Sequence, residues 1–509
     1  MNIGEWSTKR ARSWPDRLFL KQGDRCCTNR EFNERVNRMA HVLLARGIHK
    51  GDRVAAVMVN CSAFFEVFLA CAKIGAIIVP INHHLTAPEL MRTIADCGPR
   101  VLFHSPAFAA VVEQVRRQGG EIEHYLPHAG GALAAAAGHD DPADPRTAVE
   151  PAVPWDVTLG DPLLIMFTSG TTGTLKGAVL SHENFLFGSV QNLLGYGIDA
   201  TYQSLVVAPL FHIGALVASA IPVIYAGGTL VIRDFDSPSE IIDLIVREKI
   251  NYLFAVPVMY QMMSKSPAWE GADFSHVHFF IAGGAPMPVA LIRRYQEEKG
   301  VRFVQGYGMT ETLRITSLDL EDAERKAGSI GKELFHTWVR IVDEAGREAP
   351  PETAGEIIVK GPTVFSRYWN NPEATAAVLR DGWFHTGDVG KRDVEGFIYI
   401  VGRKNDLIIC AGENIYAAEV EQAIEALDPV AEAAVVGVPD PTRGETAAAF
   451  VVMKAGGALT AEGLTAALRG RLAPYKIPRQ VVFVESLPRT GSGKVHKDEL
   501  KHRFHLRRK

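Results

Sequence analysis

The run Leu163-Leu-Ile-Met-Phe-Thr168-Ser169-Gly170-Thr171-Thr172-Gly173-Thr-Leu175-Lys176-Gly177 carries an apolar stretch into a loop of Thr, Ser and Gly that ends on Lys. Those residue types suit phosphate. Glycines let backbone N–H groups approach oxygens, hydroxyls donate to them, and a lysine adds a point charge. The pattern is not a Walker A loop, which needs Gly directly before Lys, where Leu175 stands. A flexible Ser/Thr/Gly surface loop is the plainer alternative.

Four further segments hold residues with chemistry. In Gln305-Gly306-Tyr307-Gly308-Met-Thr310-Glu311-Thr312 an acid and two hydroxyls sit beside a glycine turn. Glu311 could hold Mg²⁺ and Thr310 could bond a phosphate oxygen. In Trp383-Phe-His-Thr-Gly387-Asp388 a carboxylate follows a glycine and could accept from both hydroxyls of a ribose. Arg403 follows Gly402, and Pro488-Arg-Thr490-Gly-Ser-Gly493-Lys494 is a second glycine-rich loop ending in Lys. Taken singly, each has a mundane reading: an exposed acid, a capping Asp, a solvated Arg, a tail Lys.

The elements that must position these residues are legible in outline. Glu31–Arg46 and Phe64–Ile74 have apolar residues at helical spacing, while Arg53–Val59 and Ala76–Pro80 read as short buried strands. The alternation predicts α/β layers around mostly parallel sheet. Residues 129–145, rich in Ala, Gly, Asp and Pro, read as a surface loop or linker. Ile213–Ile232 has no formal charge over a length that could nominally span a membrane. Pro222 and Gly227-Gly228 favour helix, turn and buried strand instead. Near residue 400 the texture changes. A strand at Gly396–Val401 leads to a polar turn at 402–406. Beyond it a helix at Ala418–Leu427, strands at Ala431–Val438 and Ala447–Met453, and a helix at Leu459–Leu472 predict a small α+β domain.

Composition excludes several classes. The 509 residues carry 54 Lys+Arg against 58 Asp+Glu, a formal charge of −4, which argues against a dedicated nucleic-acid binder. The six cysteines form no CxxC pair and no metal spacing, and fit a reducing compartment. The first residues lack the apolar core of a secretory signal. A cytoplasmic protein without a transmembrane span is expected, and a homodimer is the assembly considered.

Together and in this order, TSGTTGTLKG, GYGMTET, TGD, GRKNDLIICAGENIYAAEVE and PRTGSGK resemble the adenylate-forming (AMP-binding) superfamily, of the acyl-CoA synthetase or fatty-acid–CoA ligase type, from about Thr28 to Lys501. The resemblance implies a large N-terminal domain of α/β layers, residues 1–402, and a small mobile α+β C-terminal domain, residues 403–509, hinged near Asn405. It implies a two-step reaction using ATP, Mg²⁺ and coenzyme A on a small carboxylic acid. The acid first attacks the α-phosphate and releases pyrophosphate. The thiol then takes the acyl group and releases AMP.

It assigns roles as well. Lys494 would reach carboxylate and phosphate during adenylation, Thr310 and Glu311 would serve the phosphates, and Glu311 would hold Mg²⁺. Thr168, Ser169, Gly170, Thr171, Thr172, Gly173 and Lys176 would cover the β- and γ-phosphates. Gly283, Gly284 and Ala285 would line the nucleotide with Gln305, Gly306, Tyr307 and Gly308, Tyr307 lying near the adenine. Asp388 and Arg403 would hold the ribose, and Gly412 and Glu413 would face the pantetheine. His212, in Leu210-Phe-His-Ile-Gly-Ala, would pack by the substrate carboxylate; a buried structural His is the alternative.

The chain departs from the family at three places. Leu175 stands for a usual Pro, Asn405 for Asp or Lys, and Cys410-Ala411 for Ser-Gly or Gly-Gly. The absence of an Asp near His212 argues against an α-amino acid, and no fused carrier domain is expected. The apolar residues Ile213, Gly214, Val217 and Ala282 suit a fatty acid of medium to long chain, with aryl, cinnamate-type or alicyclic acids next. An acyl-AMP ligase that loads a carrier protein, and a degenerate family member that only binds, are the other readings. Arg314 disturbs the apolar setting, and pairing with a second polar or anionic group on the substrate is one use for it.

Overall fold

The computed structural model describes residues 2–119, 122–128, 145–169, 175–285, 287–410, 413–440, 443–469, 471–472, 474–489 and 494–506. The linker expected at 129–145 falls almost wholly outside them. So do Gly170, Thr171, Thr172, Gly173, Gly412 and the Thr490–Gly493 part of the second glycine-rich loop. Two compact units divide the chain: Met1–Val339 with Val359–Phe384, and Arg340–Ile358 with His385–Lys509.

The first unit is built on two sheets. In one, the strands Leu18–Gln22, Thr229–Ile232, Gln203–Val206, Tyr252–Ala255, Phe279–Gly283 and Phe303–Met309 lie side by side in parallel. The other runs Arg367–Tyr368, Leu175–Ser181, Pro162–Ser169, Ile77–Pro80, Arg53–Val57, Val101–His104, His124–Pro127. Pairing there is parallel except at the first two junctions. Parallel strands covered on both faces are expected to be near-continuously apolar. Ile77–Pro80 and Val101–His104 are buried at every position, and so is the helix Ser62–Ile74. One hydrophobic core takes in residues of both sheets and this helix.

The uncharged stretch at 213–232 resolves into a short helix Ile213–Ala215, a π-helical turn Leu216–Ala220, a helix Ile221–Ala226, a left-handed Gly227 and the strand Thr229–Ile232. Among the described residues no helix is long and apolar enough to cross a membrane. Five of the six cysteines are buried as small core residues, and burial pushes the Cys61 thiol up to about 12.

The second unit carries its own α+β core. Strands Leu407–Cys410, Glu413–Tyr416, Val430–Asp440 and Gly444–Met453 pair antiparallel, and Gln480–Phe483 joins Gly444–Met453 in parallel. Helices Ala417–Glu425 and Ala461–Leu468 pack on this sheet through Val420, Ile424, Leu464 and Leu468.

Candidate active site

The phosphate-loop segment begins and ends in neighbouring strands. Pro162–Ser169 pairs antiparallel with Leu175–Ser181, which sets Thr168 opposite Lys176, and the Thr168 hydroxyl donates to the Lys176 carbonyl at 3.3 Å. Gly177 leaves room for its neighbours, since a Cβ there would sit 2.8 Å from the Ile165 side chain and force it to shift. Arg367–Tyr368 adds to the outer edge, and the Lys176 ammonium stands 5.4 Å from the centre of the Tyr368 ring.

Glu311 arrives at the same tyrosine from the other sheet. The strands Phe303–Met309 and Leu313–Leu318 form an antiparallel pair around the turn at Thr310-Glu311-Thr312. The turn is tight. A Cβ on Gly308 would overlap the Leu313 carbonyl, and Leu313 takes φ +55°, unusual for a branched side chain. The Met309 N–H donates to the Thr312 hydroxyl at 3.2 Å, and the Phe365 N–H to the Glu311 carbonyl at 2.7 Å. The Glu311 carboxylate is 6% exposed and accepts the Tyr368 hydroxyl at 2.8 Å. Burial, and then the charge of Glu311, push the Tyr368 hydroxyl well up, so it stays a donor. Lys176 and Glu311, 135 positions apart in the sequence, thus meet on one ring. Thr310 is half-buried in the turn beside them.

Magnesium binds few protein oxygens and keeps water and substrate phosphates as its other ligands. A single buried carboxylate beside a lysine and hydroxyl groups fits that habit. Among the described residues no group of three or more His, Cys, Asp or Glu forms a dedicated metal cage.

The residues expected to line a nucleotide stand at the carboxyl ends of parallel strands, where open α/β sheets place their ligands. Gly283 and Gly306 face each other across the last parallel pair. Gly284 adopts φ +80°, and both it and Ala285 are exposed. The Gln305 side chain accepts from the Met287 N–H at 3.4 Å, and Tyr307 is half-buried.

A line of close contacts runs from there to the expected acyl side. The Phe254 ring lies against both Gly214 and Gly283, where a Cβ would come within 2.9 and 3.0 Å. The Gly283 Cβ position is 3.4 Å from the Gly306 carbonyl, and that of Gly306 is 2.9 Å from Cδ of Arg314. His212 precedes the helix Ile213–Ala215, half-buried, with its ring 4.5 Å from that of Phe211.

In the second unit Asp388 and Arg403 are cross-strand neighbours, and the Arg403 Nε donates to Asp388 at 2.9 Å. Asp388 is buried and its own N–H donates to the Thr386 hydroxyl at 3.0 Å. Beside them Glu356 accepts His385 at 3.0 Å and Lys404 at 2.9 Å. Burial raises the Glu356 carboxyl, but these two partners outweigh it and hold it below its ordinary value. Lys494 is exposed, just before the bridge between Val495 and Arg489, and Glu413 opens a strand.

The structure therefore joins Thr168, Lys176 and Glu311 in one cluster, the glycines at 283 and 306 in a second, and Asp388 with Arg403 in a third. Tyr368 was not singled out by sequence, and nothing in Ser366-Arg-Tyr-Trp369 signals it. Its place comes from strand pairing across the fold.

The match to known proteins follows these clusters. Residues 7–369 match the AMP-binding enzyme family, and residues 419–494 match the AMP-binding enzyme C-terminal domain. The chain belongs to the AMP-binding enzyme family. It is 41% identical over 503 residues to a feruloyl-CoA synthase of Amycolatopsis sp, with 99% of each chain covered. It is 38% identical over 488 residues to the long-chain-fatty-acid–CoA ligase FadD13 of Mycobacterium tuberculosis, covering 94% and 93%. Among solved structures, ATP-bound MatB from Rhodopseudomonas palustris superposes with a TM-score of 0.88 at 32% identity, with 99% of each chain covered. This AMP-binding enzyme is an AMP-forming acid–thiol ligase that uses ATP and coenzyme A, and its fold is the mixed α/β one of the family, with large N-terminal and small C-terminal domains.

Proposed function

We propose that the acid activated by this ligase is of the aryl or cinnamate type. The observation that carries this reading is the end of the contact line described above. The glycine strip from Gly214 to Gly306 abuts the full side chain of Arg314 rather than an apolar continuation. A cation at that end suits an acid with an oxygen function at its far end, as aryl and cinnamic acids can carry, better than an extended alkyl tail. The likeness to a feruloyl-CoA synthase supports the same reading. A medium- to long-chain fatty acid is the second reading, supported by the likeness to FadD13 and by the apolar residues Val217 and Ala282.

The residues then act as follows. Thr168 and Lys176, with Ser169 and the loop 170–173, hold the β- and γ-phosphates. Asp388 and Arg403 hold the ribose, and Tyr307 packs near the adenine between Gly283–Ala285 and Gln305–Gly308. Glu311 would hold Mg²⁺, whose charge draws electron density from the phosphates. Lys494 brings the substrate carboxylate onto the α-phosphorus with His212 beside it. The carboxylate oxygen bonds to that phosphorus and the bridge to the β-phosphate breaks, releasing pyrophosphate. Charge spreads over the phosphoryl oxygens, so positioning and fixed positive charge lower the barrier. The thiol of coenzyme A, passing Gly412 and Glu413, then attacks the acyl carbon and AMP leaves. Lys494 and the thiol serve different half-reactions, so the small domain, 403–509, turns about Asn405 between them. The test is turnover of cinnamic, benzoic and fatty acids in an AMP-release assay with coenzyme A. A preference for the fatty series would overturn the aryl assignment and favour the second reading.

A further inference from the structure

Arg314 is 6% exposed, yet Nε, Nη1 and Nη2 all lack a hydrogen-bond partner among the described residues. A cation taken out of water is ordinarily paired, because an isolated buried charge is strongly unfavourable. Compensation is partial: the guanidinium carbon lies 3.9 Å from the centre of the Tyr196 ring. Burial pulls the group down to about 9, opposed by the charge of Asp319, so it remains a cation at neutral pH.

The surroundings share the same deficit. The helix His182–Tyr196 packs over the strand Leu313–Leu318. On that helix the Tyr196 hydroxyl, the Gln191 Oε1 and the Asn192 Oδ1 are also buried without partners, although the Gln191 amide donates to the Arg314 carbonyl at 3.3 Å. Gly195 and Gly306 leave space for the guanidinium from either side: a Cβ on the first would sit 3.4 Å from Nη2, and one on the second 2.9 Å from Cδ. Gly306, against which Arg314 packs, neighbours Gly283, and Phe254 lies against both Gly283 and Gly214 on the expected acyl side.

We propose that Arg314, with Tyr196, is a specificity-determining group that binds an oxygen function at the end of the acyl substrate remote from the activated carboxyl. This rests on the ligase reading and narrows it. Three donor nitrogens of the guanidinium and a phenol suit an accepting oxygen, and two chemistries supply one: a phenolic hydroxyl or a second carboxylate. A site with buried polar groups rejects an analogue lacking the matching oxygen, because its own groups are then left unpaired.

The experiment compares cinnamic acid with its 4-hydroxy and 4-carboxy forms, and octanoic with octanedioic acid, in wild type, Arg314→Leu and Arg314→Lys. The expected result is that at least one oxygen-bearing acid exceeds its plain counterpart by about 100-fold or more in kcat/KM in the wild type. Arg314→Leu brings the ratio close to one while plain-acid turnover persists, and Arg314→Lys keeps part of it. The hydroxy and carboxy arms tell phenol from carboxylate. Thermal unfolding of the free protein supplies the control: Arg314→Leu should unfold no lower than wild type, since an unpaired buried cation is lost. The thermal shift on adding each acid without ATP reads the site independently of catalysis. If no acid is turned over, the ligase reading fails by itself, and the shift still decides the role of Arg314. Equal ratios in wild type and Arg314→Leu, or equal shifts for the plain and oxygen-bearing acids, overturn the proposal.

Discussion

Tyr368→Phe removes one oxygen from the point where Lys176 and Glu311, the residues proposed to serve the phosphates, meet. The phenyl ring survives, so the Lys176 ammonium keeps a ring at 5.4 Å. What is lost is the 2.8 Å hydrogen bond into the buried Glu311 carboxylate. A hydrogen bond to a charged group is worth about 1.5–3 kcal/mol, and about 1.4 kcal/mol is tenfold in rate. If Glu311 must be held for adenylation, kcat/KM for ATP in acid-dependent ATP–pyrophosphate exchange should fall about 10- to 150-fold. Tyr368→Leu removes the ring as well, and loss of the cation–π contact, about 0.5–1 kcal/mol, should add a further ~2- to 5-fold. Both variants should unfold a few degrees lower. Exchange within twofold of wild type in Tyr368→Phe would refute the reasoning, and a fall in melting temperature without loss of exchange would reduce Tyr368 to a packing residue.

Three further outcomes are expected. Lys494→Ala should slow pyrophosphate exchange by on the order of 100-fold or more while thioester formation from supplied acyl-adenylate stays within a few fold; equal losses in both would remove its assignment to the first half-reaction. Asp388→Ala should raise KM for ATP about tenfold, by loss of the ribose acceptor that Arg403 orients at 2.9 Å, and an unchanged KM counts against that role. His182 has no exposed surface, accepts the Ile3 N–H at 3.1 Å through Nδ1, and is held by burial down to about 4. The unfolded chain takes up this proton near pH 6.5 and the folded chain does not until about pH 4. Stability is therefore full above pH 6.5 and should fall by about 3 kcal/mol on acidification to pH 4. In urea unfolding, His182→Gln should flatten that slope; an identical pH profile would contradict it.

The sequence carried the periodic elements well, because they are local. Helical spacing around Phe64 and the apolar run before Thr168 map onto Ser62–Ile74 and Pro162–Ser169 within a few residues. The uncharged stretch beginning at Ile213 folds as helix, turn and strand because Pro222 and Gly227 interrupt it. The α+β elements after residue 406 also stand where their patterns predict, although the helix expected at Leu459–Leu472 is shorter, ending at Leu468. What the sequence hides is non-local. Tyr368 becomes part of the site only because Arg367–Tyr368 pairs with Leu175–Ser181 and faces Glu311 from a different sheet. Arg314 stands out in the sequence against its apolar setting, but its burial and its lack of hydrogen-bond partners among the described residues are seen only in the fold. His212 shows the limit of a residue-by-residue argument: the structural alternative supposed a buried ring, and the ring is half-exposed at the start of a short helix.

The most direct measurement of the central claim is the product balance of one incubation with ATP, coenzyme A and the preferred acid. One AMP and one pyrophosphate should appear for each thioester formed, with none of the three in the absence of acid. ADP and orthophosphate in place of AMP, or a thioester only on a carrier protein and never on free coenzyme A, would contradict the account.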